Sequence, residues 1–182
     1  MNWTDIQYLR NGNDIQRKCY SVLTELEILP LLSKYDPVVV GTIPIEIDIE
    51  GSDVDIICSV SDLTGFRELI CHNFSGCHFF ADKINDDMYV ADFEYSGIKI
   101  EIYAEDCPTQ MQAGYRHMIV ENRILSLGGC KFKGKVIEVK KRGIKTEPAF
   151  GKLLGLENPY TDLLDLEKLS DDELGTLMEK VM

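Results

Sequence analysis

Two closely spaced aspartates are the residues of this 182-residue chain best suited to chemistry. In the segment Ser52-Asp53-Val54-Asp55-Ile56-Ile57, the acids alternate with apolar residues. Successive side chains of a strand point to opposite faces, so Asp53 and Asp55 would share one face. Neighbouring carboxylates repel each other unless they face water or share a cation, and hard oxygen ligands suit Mg²⁺ or Mn²⁺. The spacing therefore indicates a divalent metal site.

A third carboxylate, Glu101, lies between isoleucines in Ile98-Lys99-Ile100-Glu101-Ile102, which predicts that it emerges on the face opposite the core. If Ser96-Gly97 is a two-residue hairpin turn, counting outward places Asp92 opposite Glu101 and Glu94 opposite Lys99. A like-charge pair costs stability unless a positive group lies nearby, so this register supports a cation site beside Glu101. The alternative is that these acids are simply solvated on an open face of the sheet.

The hydrophobic pattern predicts the elements that must position these acids. Predicted strands cluster in residues 38–104 and predicted helices in 108–181, which favours an α+β fold. We expect a mixed, mostly antiparallel sheet with flanking helices and a helical C-terminal half, divided at 1–107 and 108–182. The finer predictions are a helix over 13–32, an extended segment over 43–51, and a long helix from Thr109 with Gln112 completing a capping box.

Composition restricts the class of protein and its partners. The chain has no apolar run long enough to span a bilayer and no apparent signal peptide, so we expect a cytoplasmic protein without membrane attachment. The net charge of −12 disfavours nucleic acid as a partner. Residues 131–152, however, hold eight basic against two acidic side chains, which leaves RNA ends open as an acceptor.

The acidic motif carries a family resemblance. A glycine that closes a strand, a small hydroxyl residue beside it, nine residues and then Ser-Asp-Val-Asp resemble the nucleotidyltransferase superfamily of DNA polymerase β. Within that superfamily, the chain is similar to a group of bacterial proteins of unassigned function. The similarity lies in GTIPIEIDIEGSDVDII, AGYRHMIVENRIL and GIKTEPAFGKLL.

The resemblance implies a metal-dependent transfer of a nucleotidyl group from a nucleoside triphosphate to an acceptor hydroxyl. Gly41 and Thr42 would contact the triphosphate together with Ser52, Asp53 and Asp55 would hold Mg²⁺ or Mn²⁺, and Glu101 would be the third acid. The acidic charge favours a small molecule or a protein as the acceptor. Many active members have Ser at the position of Thr42, and a short helix replaces the stretch 43–49 in them.

These departures keep a second function open, in which the chain binds a nucleotide or a partner without turnover, as an antitoxin-like regulator would. A third alternative is a helical interaction protein whose sheet acids have no catalytic role. Arg116, His117 and Lys145 are candidate phosphate contacts, although a surface arginine, a packed histidine and a helix cap explain them equally well. The amphipathic tail after Asn158 either packs on the domain or forms the surface of a homodimer.

Overall fold

The computed structural model describes residues 2–179. These residues form eight α-helices and five strands. Four of the helices and all five strands lie in the first part of the chain, and the other four helices follow them. The strands are β1 (Val38–Val40), β2 (Val54–Ser59), β3 (His78–Ile84), β4 (Met88–Tyr95) and β5 (Ile98–Glu105). The helices are α1 (Gln7–Arg10), α2 (Asp14–Glu25), α3 (Ile28–Leu31), α4 (Leu63–Phe74), α5 (Ala113–Lys141), α6 (Thr146–Leu154), α7 (Pro159–Leu166) and α8 (Asp171–Glu179).

The strands form one mixed sheet in the order β1-β2-β5-β4-β3. β2 and β5 are parallel, and the other neighbouring pairs are antiparallel. The prediction of a mixed, mostly antiparallel sheet is therefore confirmed. β4 and β5 are joined by the two-residue turn Ser96-Gly97, in which both residues have positive φ. Such a turn matches the twist of the flanking strands and so fixes their register.

Alternation along the central strands places apolar core residues on one face and the acids on the other, where Ile57 of β2 is nevertheless buried. On β2, Val54, Ile56 and Cys58 are buried among side chains of the core, while Asp55 between them is only partly buried. β5 repeats the pattern, since Ile100 and Ile102 are buried on either side of the partly exposed Glu101. The apolar face packs against residues of α2 and α4, and the acidic residues are therefore left on the opposite face.

Two predicted helical features differ in the structure. The helix predicted over 13–32 begins with a capping box between Asn13 and Gln16 but is interrupted at Glu27, which has a φ of 50°. The predicted capping box at Thr109 and Gln112 is wrong, because α5 begins later. The Gln112 side chain instead donates to the carbonyl oxygens of Cys58 (2.9 Å) and Cys107 (2.8 Å), so tertiary acceptors prevail over a local cap.

The segment after β1 also differs from its prediction. The alternating isoleucines of 43–49 predicted extended backbone, whereas residues 42–46 form turns and Glu46 has a φ of 58°. Ile43, Ile45 and Ile47 are all buried, so their alternation records burial within an irregular loop. The Gln16 amide donates to the carbonyl oxygen of Ile43 at 3.0 Å.

The chain divides into two compact units. The first comprises residues 2–44 and 51–115 of the described chain and contains the sheet with α1–α4, and the second comprises 45–50 and 116–179. α5 includes a kink at Gly129. No helix in the described part of the chain is long and apolar enough to cross a membrane.

Buried charged groups characterise the second unit. The Lys140 ammonium is almost fully buried and donates to the Ile47 carbonyl oxygen at 2.7 Å, and Lys133 forms an ion pair with Glu46. Glu121 is also buried, and its Oε1 has no hydrogen-bond partner. Burial and the nearby charge of Glu147 raise the pKa of Glu121 well above its usual value, while the positive charge of Lys140 opposes this.

Candidate active site

Three carboxylates lie side by side on adjacent strands of the first unit. Asp55 of β2 is the direct partner of Glu101 of β5, and Glu101 is in turn the direct partner of Asp92 of β4. The register predicted from the Ser96-Gly97 turn is therefore confirmed, including the pairing of Glu94 with Lys99. Because opposite residues in a sheet point to the same face, Asp55, Glu101 and Asp92 form an acidic row across the open face.

The acidic row is electrostatically unfavourable. Burial, followed by the negative charges of Asp92 and Asp53, raises the pKa of Glu101 above its ordinary value. Burial and the charge of Asp53 likewise raise the pKa of Asp92. Asp53, which immediately precedes β2 and is exposed, is thus close enough to both acids for its charge to affect them. A cation at this face would relieve the repulsion.

Gly41 lies directly against the carboxylate of Asp55. Val40 of β1 is the partner of Asp55, so Gly41 follows at the point where the chain leaves the sheet. Its φ is 85°, and a Cβ at this position would collide with Oδ2 of Asp55. The backbone conformation therefore favours glycine, and a larger residue would require the Asp55 carboxylate to move. Thr42 and Ser52 are partly buried at the two ends of the loop between β1 and β2.

The carboxylates of the acidic row do not meet at one point in the structure. Among residues 2–179, no three histidine, cysteine, aspartate or glutamate side chains are arranged to hold one metal ion. The sheet order explains this, because β1 and β5 lie on opposite sides of β2. The Asp55 carboxylate is turned towards Gly41 at the β1 side, whereas Glu101 lies on the β5 side.

The three candidate phosphate contacts belong to the second unit. The Arg116 guanidinium donates to Oε2 of Glu167 from Nε (3.1 Å) and Nη2 (2.7 Å). His117 Nε2 is 2.9 Å from the Tyr160 carbonyl oxygen, and its Nδ1 is 3.7 Å from Oε1 of Glu147. Arg116 and His117 thus have partners within their own unit. Lys145 precedes α6, and its side chain is exposed.

A cavity of about 330 Å³ opens beside the acidic row, and the sequence did not indicate it. Asp53 and Asp92 line it together with Glu94, Lys99 and the aromatic ring of Phe79. Phe79 is missing from the predicted site because its neighbours in Cys77-His78-Phe79-Phe80 are typical of an ordinary strand. Glu94 and Lys99 could have been found from the register, since they form the next pair on the same face as the Asp92–Glu101 pair.

Comparison with protein families supports the resemblance that the sequence suggested. The model of a family described as "Domain of unknown function (DUF4269)" matches residues 21–166 of the chain. No curated protein matches it.

Solved structures of polymerase β-like nucleotidyltransferases match the fold. The GLD-2/RNP-8 complex matches with a TM-score of 0.54 and 15% identity, covering 95% of this chain and 80% of that chain. Cid1 bound to the UTP analogue UMPNPP matches with a TM-score of 0.52 and 14% identity, covering 93% and 71% respectively. The polymerase core of TRAMP matches with a TM-score of 0.50 and 14% identity, covering 97% and 60%. In another Cid1 structure, the match covers 52% of the Cid1 chain, so this chain spans about half of its length.

Proposed function

Because the chain belongs to the DUF4269 family and has the fold of polymerase β-like nucleotidyltransferases, we propose that it transfers a nucleotidyl group from a nucleoside triphosphate to an acceptor hydroxyl. The observation that carries this proposal is the acidic row of Asp55, Glu101 and Asp92 beside the glycine turn at Gly41. The packing of the core does not require acids on the opposite face of the sheet. Repulsion between these acids destabilises the protein when no ligand is bound. Structures that retain destabilised groups commonly do so at functional sites.

The donor set fits a divalent metal in its chemistry. Asp53, Asp55 and Glu101 supply carboxylate oxygens, which are the ligands that Mg²⁺ and Mn²⁺ prefer. Binding requires the Asp55 side chain to leave its position against Gly41 and turn towards Glu101. Bound metal would neutralise the charge that develops on the phosphoryl oxygens during transfer.

The residues of the chain would carry out the remaining steps. The glycine turn leaves space for a triphosphate to approach the backbone of Gly41 and Thr42, and Ser52 supplies a hydroxyl at the other end of the loop. Glu101 accepts the proton of the acceptor hydroxyl, and its raised pKa suits a general base. The acceptor oxygen then bonds to the α-phosphorus while the bond between the α-phosphate and the β-phosphate breaks, and pyrophosphate leaves.

A labelling experiment tests this function. The full chain is incubated with each α-labelled nucleoside triphosphate, Mg²⁺ or Mn²⁺, and a deproteinised extract of small molecules, and pyrophosphate and labelled products are measured. We expect both to appear, and Asp53→Asn and Asp55→Asn to lower the rate by at least about a thousandfold, equivalent to about 4 kcal/mol. Asp86→Asn, which changes an exposed aspartate in the loop between β3 and β4, is the matched control and should retain the rate.

The position of Asp55 against Gly41 favours a second candidate function, in which the chain binds a nucleotide without transferring it. Tight, metal-dependent binding of a triphosphate without pyrophosphate release would support this function against the first. Equal triphosphate affinity of the wild type, Asp53→Asn and Asp55→Asn would contradict both.

A further inference from the structure

The cavity beside the acidic row has a size that suits one small ring compound. Its volume is about 330 Å³, at the lower end of the range of about 300–1,000 Å³ that is typical of small-molecule sites. It lies in the first unit, and Asp53 and Asp92 border both the cavity and the proposed metal site. A molecule bound in it would therefore lie next to the groups that activate an acceptor hydroxyl.

Phe79 is placed in this cavity by an unusual backbone conformation. The register of β3 with β4 shifts between His78 and Ala81, so that Phe79 and Phe80 together oppose Phe93 in a β-bulge. Phe79 has a φ of 55°, a conformation that usually requires glycine and costs a bulky residue about 1–3 kcal/mol.

Burial does not repay this cost, because Phe79 is 72% exposed. Its ring is held by the neighbouring His78 ring, whose centroid is 3.7 Å away. The bulge thus leaves a large aromatic ring outside the core, at a residue that lines the cavity. A flat ligand stacked on this ring would recover the apolar contact that the folded protein lacks.

The charges around the cavity select the ligand further. Asp53, Asp92 and Glu94 contribute three carboxylates, and Lys99 contributes one ammonium group. This surplus of negative charge repels phosphates, whereas it attracts ammonium groups and accepts hydrogen bonds from hydroxyl groups. An aromatic face adds a further attraction for a cation.

We propose that this cavity binds the acceptor, and that the acceptor is a small, phosphate-free ring compound bearing hydroxyl and ammonium groups that lies on Phe79. The assignment of this compound as the acceptor rests on the proposed function. In the absence of metal, the same carboxylates disfavour phosphate-bearing acceptors, including the ends of RNA chains.

Ligand-observed saturation-transfer NMR on the full chain tests the ligand class without nucleotide or metal. The probes are glucosamine, which is cationic, glucose, which is neutral, glucosamine 6-phosphate, and a short oligoadenylate. We expect glucosamine to bind best, glucose to bind more weakly, and the two phosphate-bearing probes to bind least. Preference for glucosamine 6-phosphate or oligoadenylate would overturn the proposal.

Variants locate the binding at Phe79 and separate stacking from charge. Phe79→Ala should weaken glucosamine and glucose binding by about twofold to fivefold, the equivalent of about 0.5–1 kcal/mol, while Phe79→Tyr should retain it. Glu94→Gln should weaken glucosamine more than glucose. Tyr160→Ala removes an aromatic side chain that is 48% exposed outside the cavity and should change nothing.

Phe79→Gly distinguishes a ligand platform from a structural residue. Glycine adopts the positive φ without strain, so this variant should unfold at a temperature no lower than that of the wild type while weakening probe binding to the extent that Phe79→Ala does. Lower stability with unchanged signals would overturn the proposal. If pyrophosphate is released but the probes ignore Phe79 and Glu94, the inference fails alone. If Phe79-dependent glucosamine binding occurs without pyrophosphate release, the proposed function fails and the ligand class stands.

Discussion

The acidic row of the first unit and the buried charges of the second unit show two uses of perturbed carboxyl groups. Glu101 is partly exposed, and its raised pKa arises from burial and from other acids on the same open face. Glu121 is almost fully buried, and its raised pKa arises from burial and Glu147 while Lys140 opposes it. A raised pKa therefore does not identify a functional carboxylate by itself.

The surroundings of the two groups differ in what they can accept. Asp92 of the acidic row and the neighbouring Asp53 line an open cavity, where a ligand can reach them. In the second unit, Lys140 donates to the Ile47 carbonyl oxygen and Lys133 pairs with Glu46, so both lysines stabilise the segment 45–50 that belongs to this unit. The two lysines of the second unit therefore have partners within the protein, whereas the acids of the first unit repel one another and lie where a cation can reach them.

The largest expected change in stability comes from the second unit. Lys140→Met removes a buried ammonium group and leaves the Ile47 carbonyl oxygen and the Glu121 carboxyl without it, so we expect the free energy of unfolding to fall by about 3 kcal/mol. Urea denaturation measures this change. Lys141→Met alters the exposed neighbour and should remain within about 0.5 kcal/mol of the wild type. Equal effects of both substitutions would remove the structural role assigned to Lys140.

A smaller loss is expected at the glycine turn of the first unit, and two glycines make a matched pair. Gly41 and Gly51 have φ values of 85° and 86°, but a Cβ at Gly51 has open space whereas one at Gly41 meets Asp55. Gly51→Ala should therefore cost about 1–2 kcal/mol from backbone strain alone.

Gly41→Ala should cost more than Gly51→Ala, because it also displaces the Asp55 carboxylate. It should in addition change the rise in unfolding temperature that Mg²⁺ produces, which Gly51→Ala should leave intact. Thermal unfolding with and without Mg²⁺ measures both effects. If the two variants behave alike, the contact between Gly41 and Asp55 does not shape the site.

The parts of the site that local rules govern were predictable from the sequence. The pairing of Asp92 with Glu101 followed from the Ser96-Gly97 turn, because a two-residue turn determines the register of both strands. The parts that depend on distant neighbours were not predictable. Gln112 forms no cap because carbonyl groups of Cys58 and Cys107 accept its hydrogen bonds.

The position of Phe79 is a second example. A bulge inserts a residue without changing the local composition, so alternation along His78-Phe79-Phe80 could not show which ring faces the core. The rotamer of Asp55 is equally invisible in the sequence. This rotamer depends on the space beside Gly41, which directly follows the neighbouring strand β1. Spacing therefore predicted which acids share a face but not whether their carboxylates converge.

The smallest expected change concerns the acidic row itself and has the opposite sign to the first. Glu101→Gln removes a like-charge pair with Asp92, so in the absence of metal it should raise the free energy of unfolding at neutral pH by about 0.2–1 kcal/mol. Because the pKa of Glu101 is raised in the folded protein, the folded state binds more protons than the unfolded state as pH rises past the ordinary glutamate value. The wild type should lose stability across that interval, and the advantage of Glu101→Gln should vanish below it.

Added Mg²⁺ should stabilise the wild type and reverse the order of the two proteins, since binding to the folded state alone raises stability. Thermal unfolding at about pH 4 and pH 7, with and without Mg²⁺, measures these differences. If the wild type is more stable than Glu101→Gln at neutral pH without metal, other groups of the protein already offset the repulsion between Asp92 and Glu101. The acidic row would then have partners within the protein, as Lys140 and Lys133 of the second unit do.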